Sequence, residues 1–200
     1  MRWLAGLLAL WAAGCGRYEE FRLPVVNGAQ APGGYLWEPL AAPVMARGAA
    51  GQWDSVDTLN PSVVAHGGGY LNFYSGFDGK TWHTGLAASA DGLAWTRKGK
   101  VLSPEAAWEG DYIAANGSAL GSGDEFLYWY QAGRTPRIGL ARSADGVKWR
   151  REPMPVLDLG PRGSWDERGV ADPYVMRVDG AFYMFYLGQD RARRQRLGIA

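Results

Sequence analysis

The stretch Gly139-Leu140-Ala141-Arg142-Ser143-Ala144-Asp145-Gly146-Val147-Lys148-Trp149 repeats, almost residue for residue, the earlier Gly85-Leu86-Ala87-Ala88-Ser89-Ala90-Asp91-Gly92-Leu93-Ala94-Trp95. The match continues upstream of each copy. Aromatic runs precede them, Tyr70 to Tyr74 and Phe126 to Tyr130, and before these come Trp53 with Asn60-Pro61-Ser62, and Trp108 with Asn116-Gly117-Ser118. A third unit opens at Trp165, passes Asp172-Pro173-Tyr174 and Phe182 to Tyr186, and reaches Ile199-Ala200. The units lie about 56 residues apart. A period this long, in which each unit alternates short aromatic segments with turn residues, predicts an all-β chain of β-propeller blades.

Each unit divides into four antiparallel strands. Strand one is expected over Ser62 to Ala65 and Tyr174 to Val178, strand two over each aromatic run, strand three around Gly85-Leu86-Ala87 or Ile138 to Ala141, and strand four after Trp95 or Trp149. The second strands are apolar on almost every residue, so neighbouring blades must cover both of their faces. Antiparallel alternation puts the approach to strand one and the loop between strands two and three on one face of the disc, and the turn between strands three and four on the other. With strand one lining the axis, a ligand meets several blades where strand one begins.

Before the repeats, Arg2, the apolar run Leu4 to Ala13 and the small residues ahead of Cys15 have the layout of an export signal. Ala12-Ala13-Gly14-Cys15 resembles a bacterial lipobox, which makes Cys15 the expected lipidation site; the alternative is an ordinary cleaved signal with a free thiol. The expected organisation is thus 1–15 as a lipoprotein-type signal, 16–34 as a tether, and 35–200 as a partial propeller. Trp37 to Val44 matches Trp149 to Val156, so that propeller is expected to open with the outer strand of a blade, followed by two full blades and most of another. Five units of this period take roughly 280 residues, so the ring expected here lacks about two blades. The expected location is the bacterial cell envelope, extracytoplasmic and touching the membrane only through the lipid, and the full-length protein is expected to be a monomer.

Composition narrows the chemistry. A formal net charge of +1 supplies no field for a polyanion, which argues against nucleic acid as a partner. Two histidines, His66 and His83, and one cysteine do not make a set of transition-metal ligands, and no cofactor is expected. The Ser-x-Asp-Gly-x-x-Trp element is one residue shorter than the sialidase Asp-box that it resembles. Asp91 and Asp145 perform the same local task in each copy, so they read as turn residues. Asp54, Glu109 and Asp166 each follow a repeat tryptophan, and the same logic makes them structural anchors.

A single active site must break the repeat. At the start of strand one the column reads Asn60, Asn116, Asp172, two amides and one carboxylate. Asp172 is the catalytic candidate, against the alternative of a carboxylate capping its own loop. Glu167, Asp111 and Asp57 are further carboxylates near the same entrance, each without an acidic match in its column. Cleaving a glycosidic bond generally takes two carboxyl groups. Asn60 and Asn116 are substrate-binding candidates, as are Arg134 and Trp82 on the rim; Trp82 either stacks on a sugar ring or tucks between blades.

These residues resemble the five-bladed propeller glycoside hydrolases, the superfamily of arabinanases, xylosidases, arabinofuranosidases and β-fructosidases. The carriers are Asp172-Pro173, the strand Phe182-Tyr183-Met184-Phe185-Tyr186-Leu187-Gly188, and the Gly139 to Trp149 run. The resemblance implies a carbohydrate substrate, an aspartate acting as base or nucleophile, and a glutamate acid from a later blade. Only Asp172 stands in a matching Asp-Pro context. Two functions follow: a glycoside hydrolase working with paired carboxylates, or a noncatalytic propeller that binds carbohydrate or protein at the surface.

Overall fold

The computed structural model describes residues 38–200. The signal segment with Cys15, the tether and Trp37 lie outside the described residues. Three antiparallel sheets follow one another along the chain. The first holds β1 (Asp57–His66), β2 (Gly69–Phe77), β3 (Trp82–Ser89) and β4 (Thr96–Leu102) in that order. The second holds β5 (Ala114–Ser122), β6 (Glu125–Ala132), β7 (Arg137–Ser143) and β8 (Arg150–Arg151), and the third β9 (Gly169–Val178), β10 (Ala181–Gln189) and β11 (Gln195–Ile199). This is the blade pattern of a propeller, with all-β architecture as expected; the described helical structure is the single 3-10 turn Ala107–Glu109.

The blades stack through the apolar faces of their second strands. Phe73 and Leu86 of blade one pack with Phe126, Tyr128 and Tyr130 of blade two, and Trp149 reaches across to Phe73 with ring centroids 5.4 Å apart. The alternate residues Leu127 and Trp129, with Ile138 and Leu140, pack against Val170, Val175, Met184 and Tyr186 of blade three. β6 is covered on both sides as its unbroken apolar run requires. Blade three is covered on one side only: Tyr174 is 64% exposed and Leu197 76%.

The first strands lie side by side around the axis, held by a recurring latch that joins residues 57 apart. Ser62 Oγ accepts the Ala119 N–H at 2.8 Å, and Ser118 Oγ accepts the Val175 N–H at 3.0 Å. Without these seryl acceptors, edge-strand amides facing the preceding blade would be left unpaired. The third blade has Tyr174 in the seryl column.

A second recurring unit braces each blade. Trp53, Trp108 and Trp165 lie against Tyr74, Tyr130 and Tyr186, with centroid distances of 5.6, 6.3 and 5.5 Å. Beneath each indole a glycine leaves room. Beside each tryptophan a buried carboxylate of Asp54, Glu109 or Asp166 accepts the tyrosyl O–H. Arg97 and Arg151 neutralise the first two, with Arg97 Nε 3.0 Å from Asp54 and Arg151 Nη1 2.6 Å from Glu109. The acidic column is therefore structural, as the repeat implies, though the work is done in the core.

Two expectations need correcting. Residues 38–50 contain no strand, although Trp37 to Val44 was expected to supply one. A strand exists by its ladder, and among the described residues no strand of a preceding blade pairs with this segment. The inner strands are also longer than expected. β1 starts at Asp57 and β9 at Gly169, so Asn60 and Asp172 sit inside their strands.

A Cβ added at Gly85 would stand 2.3 Å from the Trp53 ring and 2.6 Å from that of Tyr74. Gly85→Ala is expected to lower unfolding free energy by about 1–3 kcal/mol, the usual cost of overpacking. Gly121→Ala, where the new methyl group meets nothing within 4 Å, serves as the control. Denaturant titration checks the pair; equal midpoints would remove the tryptophan brace from the account.

Candidate active site

Each inner strand carries one β-bulge, and the three bulges form the site. In blade one the ladder pairs Leu59 with Ser75 and Ser62 with Phe73, so Asn60 and Pro61 together face Tyr74. Asn116 and Gly117 likewise face Tyr130, and Asp172 and Pro173 face Tyr186. Two residues opposite one bend the strand and aim the extra side chain away from the sheet. The first bulge residue is left-handed in every blade, with φ of 52° at Asn60, 51° at Asn116 and 48° at Asp172. Asn and Asp tolerate that region better than other residues with a Cβ, so backbone conformation accounts for the amide or carboxylate type in this column. It does not account for the choice of a carboxylate only in blade three.

The bulges place Asn60, Asn116 and Asp172 around one cleft of about 300 Å³, completed by Pro61, Gly117 and Pro173. Asn116 Nδ2 donates to Asp172 Oδ1 at 3.2 Å. Bulge amides, lost to the ladder, are caught by the preceding blade. Asn116 N–H donates to Ser75 Oγ at 2.9 Å and Asp172 N–H to Gln131 Oε1 at 3.3 Å. Ser75 also donates to Asn116 Oδ1 at 3.0 Å.

Asp172 is exposed as a residue, yet its carboxyl stands among three blades, and protein displaces much of the surrounding water. Desolvation raises its pKa above the ordinary carboxylate value, while the Asn116 donor acts in the opposite sense. Among the described residues no cation is in contact with it to reverse the rise. The carboxyl thus holds its proton longer than a free aspartate, which suits transfer of a proton to a leaving oxygen.

The other sequence candidates lie in separate surroundings. Asp57 accepts the N–H of Thr58 at 2.8 Å. Asp111 and Arg134 form an exposed ion pair at 3.1 Å, with the Arg134 guanidinium over the Tyr112 ring. Glu167, its side chain 7% exposed, accepts from Gly163 N–H at 2.8 Å and pairs with Arg191 at 2.7 Å. Trp82 stacks on Phe77 with centroids 4.6 Å apart and planes 19° from parallel. None of these five lines the cleft of the three bulges.

On the opposite turns, Asp91 Oδ1 accepts from Leu93 and Ala94 at 2.8 and 2.9 Å, and Asp145 repeats this with Val147 and Lys148 at 2.8 Å each. Those amides hold both carboxyls below the usual carboxylate range. Both are turn residues, as the repeat implies. Sequence reading missed Ser75 and Gln131, which hold the bulges, and Arg97 and Arg151, which pair with the buried acids. The signals were present: the polar residue that follows two of the aromatic runs, and arginine two positions after Trp95 and Trp149.

Asp172 has a pH consequence of definite sign. A carboxyl whose folded pKa lies above its unfolded value of about 3.8 contributes stability fully below that value and loses it as pH rises through the folded pKa. Asp172→Asn preserves the bulge, since Asn60-Pro61 is the same dipeptide in the same conformation. The variant should gain stability over the parent as pH rises from below 3.8 into the neutral range. Denaturation midpoints of both proteins across that range check it, and a difference that is flat or falls with pH contradicts it.

A glycoside hydrolase family 130 model, described as beta-1,4-mannooligosaccharide phosphorylase, matches residues 126–199, which span strands β6 to β11. The beta-1,2-mannobiose phosphorylase of Thermoanaerobacter sp. (strain X514) is 31% identical, over 44% of this chain and 34% of its own. Among solved structures, the family 117 glycoside hydrolase Zg3597 of Zobellia galactanivorans superposes with a TM-score of 0.64 at 19% identity, covering 72% of this chain and 51% of that one. The beta-1,2-mannobiose phosphorylase of Listeria innocua gives 0.60 at 15% identity, covering 74% and 41%. The chain thus spans about a third of the curated relative's length and about half or less of these two structures. The structural likeness establishes the propeller-type fold.

Proposed function

We propose that this propeller acts on a mannose-containing oligosaccharide, breaking a β-mannosidic bond with Asp172 as the proton donor to the leaving oxygen. The observation that carries this reading is the convergence of three blades on one cleft in which Asp172 is the ionisable bulge residue and burial raises its pKa. Asn60 and Asn116, each with donors and an acceptor, suit the hydroxyl groups of a sugar. The choice of mannoside rests on the phosphorylase relatives, whose names specify mannobiose and mannooligosaccharide.

Two nucleophiles complete such a reaction. Water requires a second carboxylate to activate it, whereas phosphate is already an anion and attacks the anomeric carbon without a base. The family model and the curated relative, both named as phosphorylases, favour phosphorolysis. In that reaction phosphate oxygen bonds to the anomeric carbon, the glycosidic C–O bond breaks, and the departing oxygen takes the Asp172 proton. The signal-like layout of residues 1–15, with Cys15 in a lipobox-like setting, supports a cell-envelope location in this reading.

Incubation with β-1,2- and β-1,4-mannooligosaccharides, with and without inorganic phosphate, tests the proposal by product chromatography. Mannose 1-phosphate formed only with phosphate, together with the oligosaccharide shortened by one residue (mannose itself from mannobiose), is the expected outcome; cleavage without phosphate indicates hydrolysis. Asp172→Asn should abolish turnover, by a factor of about 10²–10⁴ for a lost general acid, while oligosaccharide binding remains measurable. Binding without turnover in the parent, unaffected by Asp172→Asn, would replace the enzyme with a noncatalytic carbohydrate-binding propeller.

A further inference from the structure

We propose that Ser75 of blade one is a positioning residue that acts through Asn116 of blade two to set the hydrogen bond received by Asp172 of blade three. The inference deepens the reading of Asp172 as the working carboxyl and rests on it. Ser75 is fully buried and touches Asn116 twice: its Oγ accepts the backbone N–H at 2.9 Å and donates to Oδ1 at 3.0 Å. A side-chain amide has one oxygen and one nitrogen end. With Oδ1 engaged by a donor, the NH₂ end points the other way, and Nδ2 meets Asp172 Oδ1 at 3.2 Å.

Ser75, inside the second strand of blade one, thereby determines which face Asn116 presents to Asp172. If the amide were reversed, its oxygen would face the carboxylate, and two acceptors would repel. The groups that meet Asp172 are the Asn116 amide from β5 and, through the Asp172 N–H, the Gln131 amide from β6. Neither titrates. The Asn116 donor is therefore the contact that favours the ionised carboxylate against the surrounding desolvation.

The experiment follows the Asp172 carboxyl by carbon NMR titration of the full chain in four forms: parent, Ser75→Ala, Asn116→Gly and the double variant. Glycine keeps the left-handed backbone of residue 116 and removes only the amide. Ser75→Ala should shift the Asp172 pKa upward, because a free Asn116 amide donates part of the time. Asn116→Gly should shift it upward at least as far, and adding Ser75→Ala to Asn116→Gly should change nothing further. No shift in Ser75→Ala, or an equal shift with and without the Asn116 side chain, would overturn the proposal.

If Ser75→Ala does not fold, the parent still decides the matter. Its Asn116 side-chain NH₂ protons must respond to ionisation of Asp172, and a response confined to other amides would overturn the proposal. Glycan turnover is assayed separately. An inactive protein with the expected titrations defeats the proposed function and leaves the Ser75 linkage standing, while an active protein without them does the reverse.

Discussion

The bulge in each inner strand is the constraint on which this site depends. A regular strand would send successive side chains alternately to the two faces of the blade, and none would aim along the axis. Inserting one left-handed residue opposite Tyr74, Tyr130 and Tyr186 turns Asn60, Asn116 and Asp172 out of that alternation. It also takes two amides out of their ladders, and the preceding blade recovers them through Ser75 and Gln131. The hydrogen bonds that repair the bulges are thus also bonds between blades. Site geometry and blade stacking cannot be varied independently.

Below the cleft, the core of each blade uses a charge where an apolar packing would have sufficed. Asp54 and Glu109 are buried, and each is matched by a tyrosyl hydroxyl and an arginine. Such clusters contribute little net stability, yet removing one partner typically costs about 3–5 kcal/mol because the other charge is left buried. They fix the tryptophan loop against the second strand. That loop leads directly into the inner strand, so the cluster anchors the segment that carries the bulge. Desolvation and the adjacent acid push the Tyr74 and Tyr130 hydroxyls well above the ordinary tyrosine value, so both remain donors at any physiological pH.

Much of this was legible in the sequence because the repeat compares a residue with its counterparts. A task common to every blade shows as a filled column, and this correctly identified Asp91, Asp145 and the buried acids as structural. The same comparison singled out the Asn60, Asn116, Asp172 column, since there alone the chemical type changes at constant shape. The bulge itself escaped. Asn-Pro and Asp-Pro look like loop-to-strand junctions, and only ladder register shows that the strand has already begun. Ser75 and Gln131 escaped for a related reason: their role is defined by a neighbour 41 residues away in the next blade. Glu167, Asp111 and Asp57 stood in the sequence as further carboxylates near the same entrance, but their partners are backbone amides and arginines outside the cleft.

The central claim is that blades two and three hold Asn116 and Asp172 face to face. Nuclear Overhauser contacts between the Asn116 side-chain amide protons and the Asp172 β protons measure this most directly. The account predicts observable cross-peaks, with one Asn116 amide proton shifted from its solvent position by the carboxylate at 3.2 Å. An Asn116 amide with solvent-like shifts and no contact to Asp172 would contradict it.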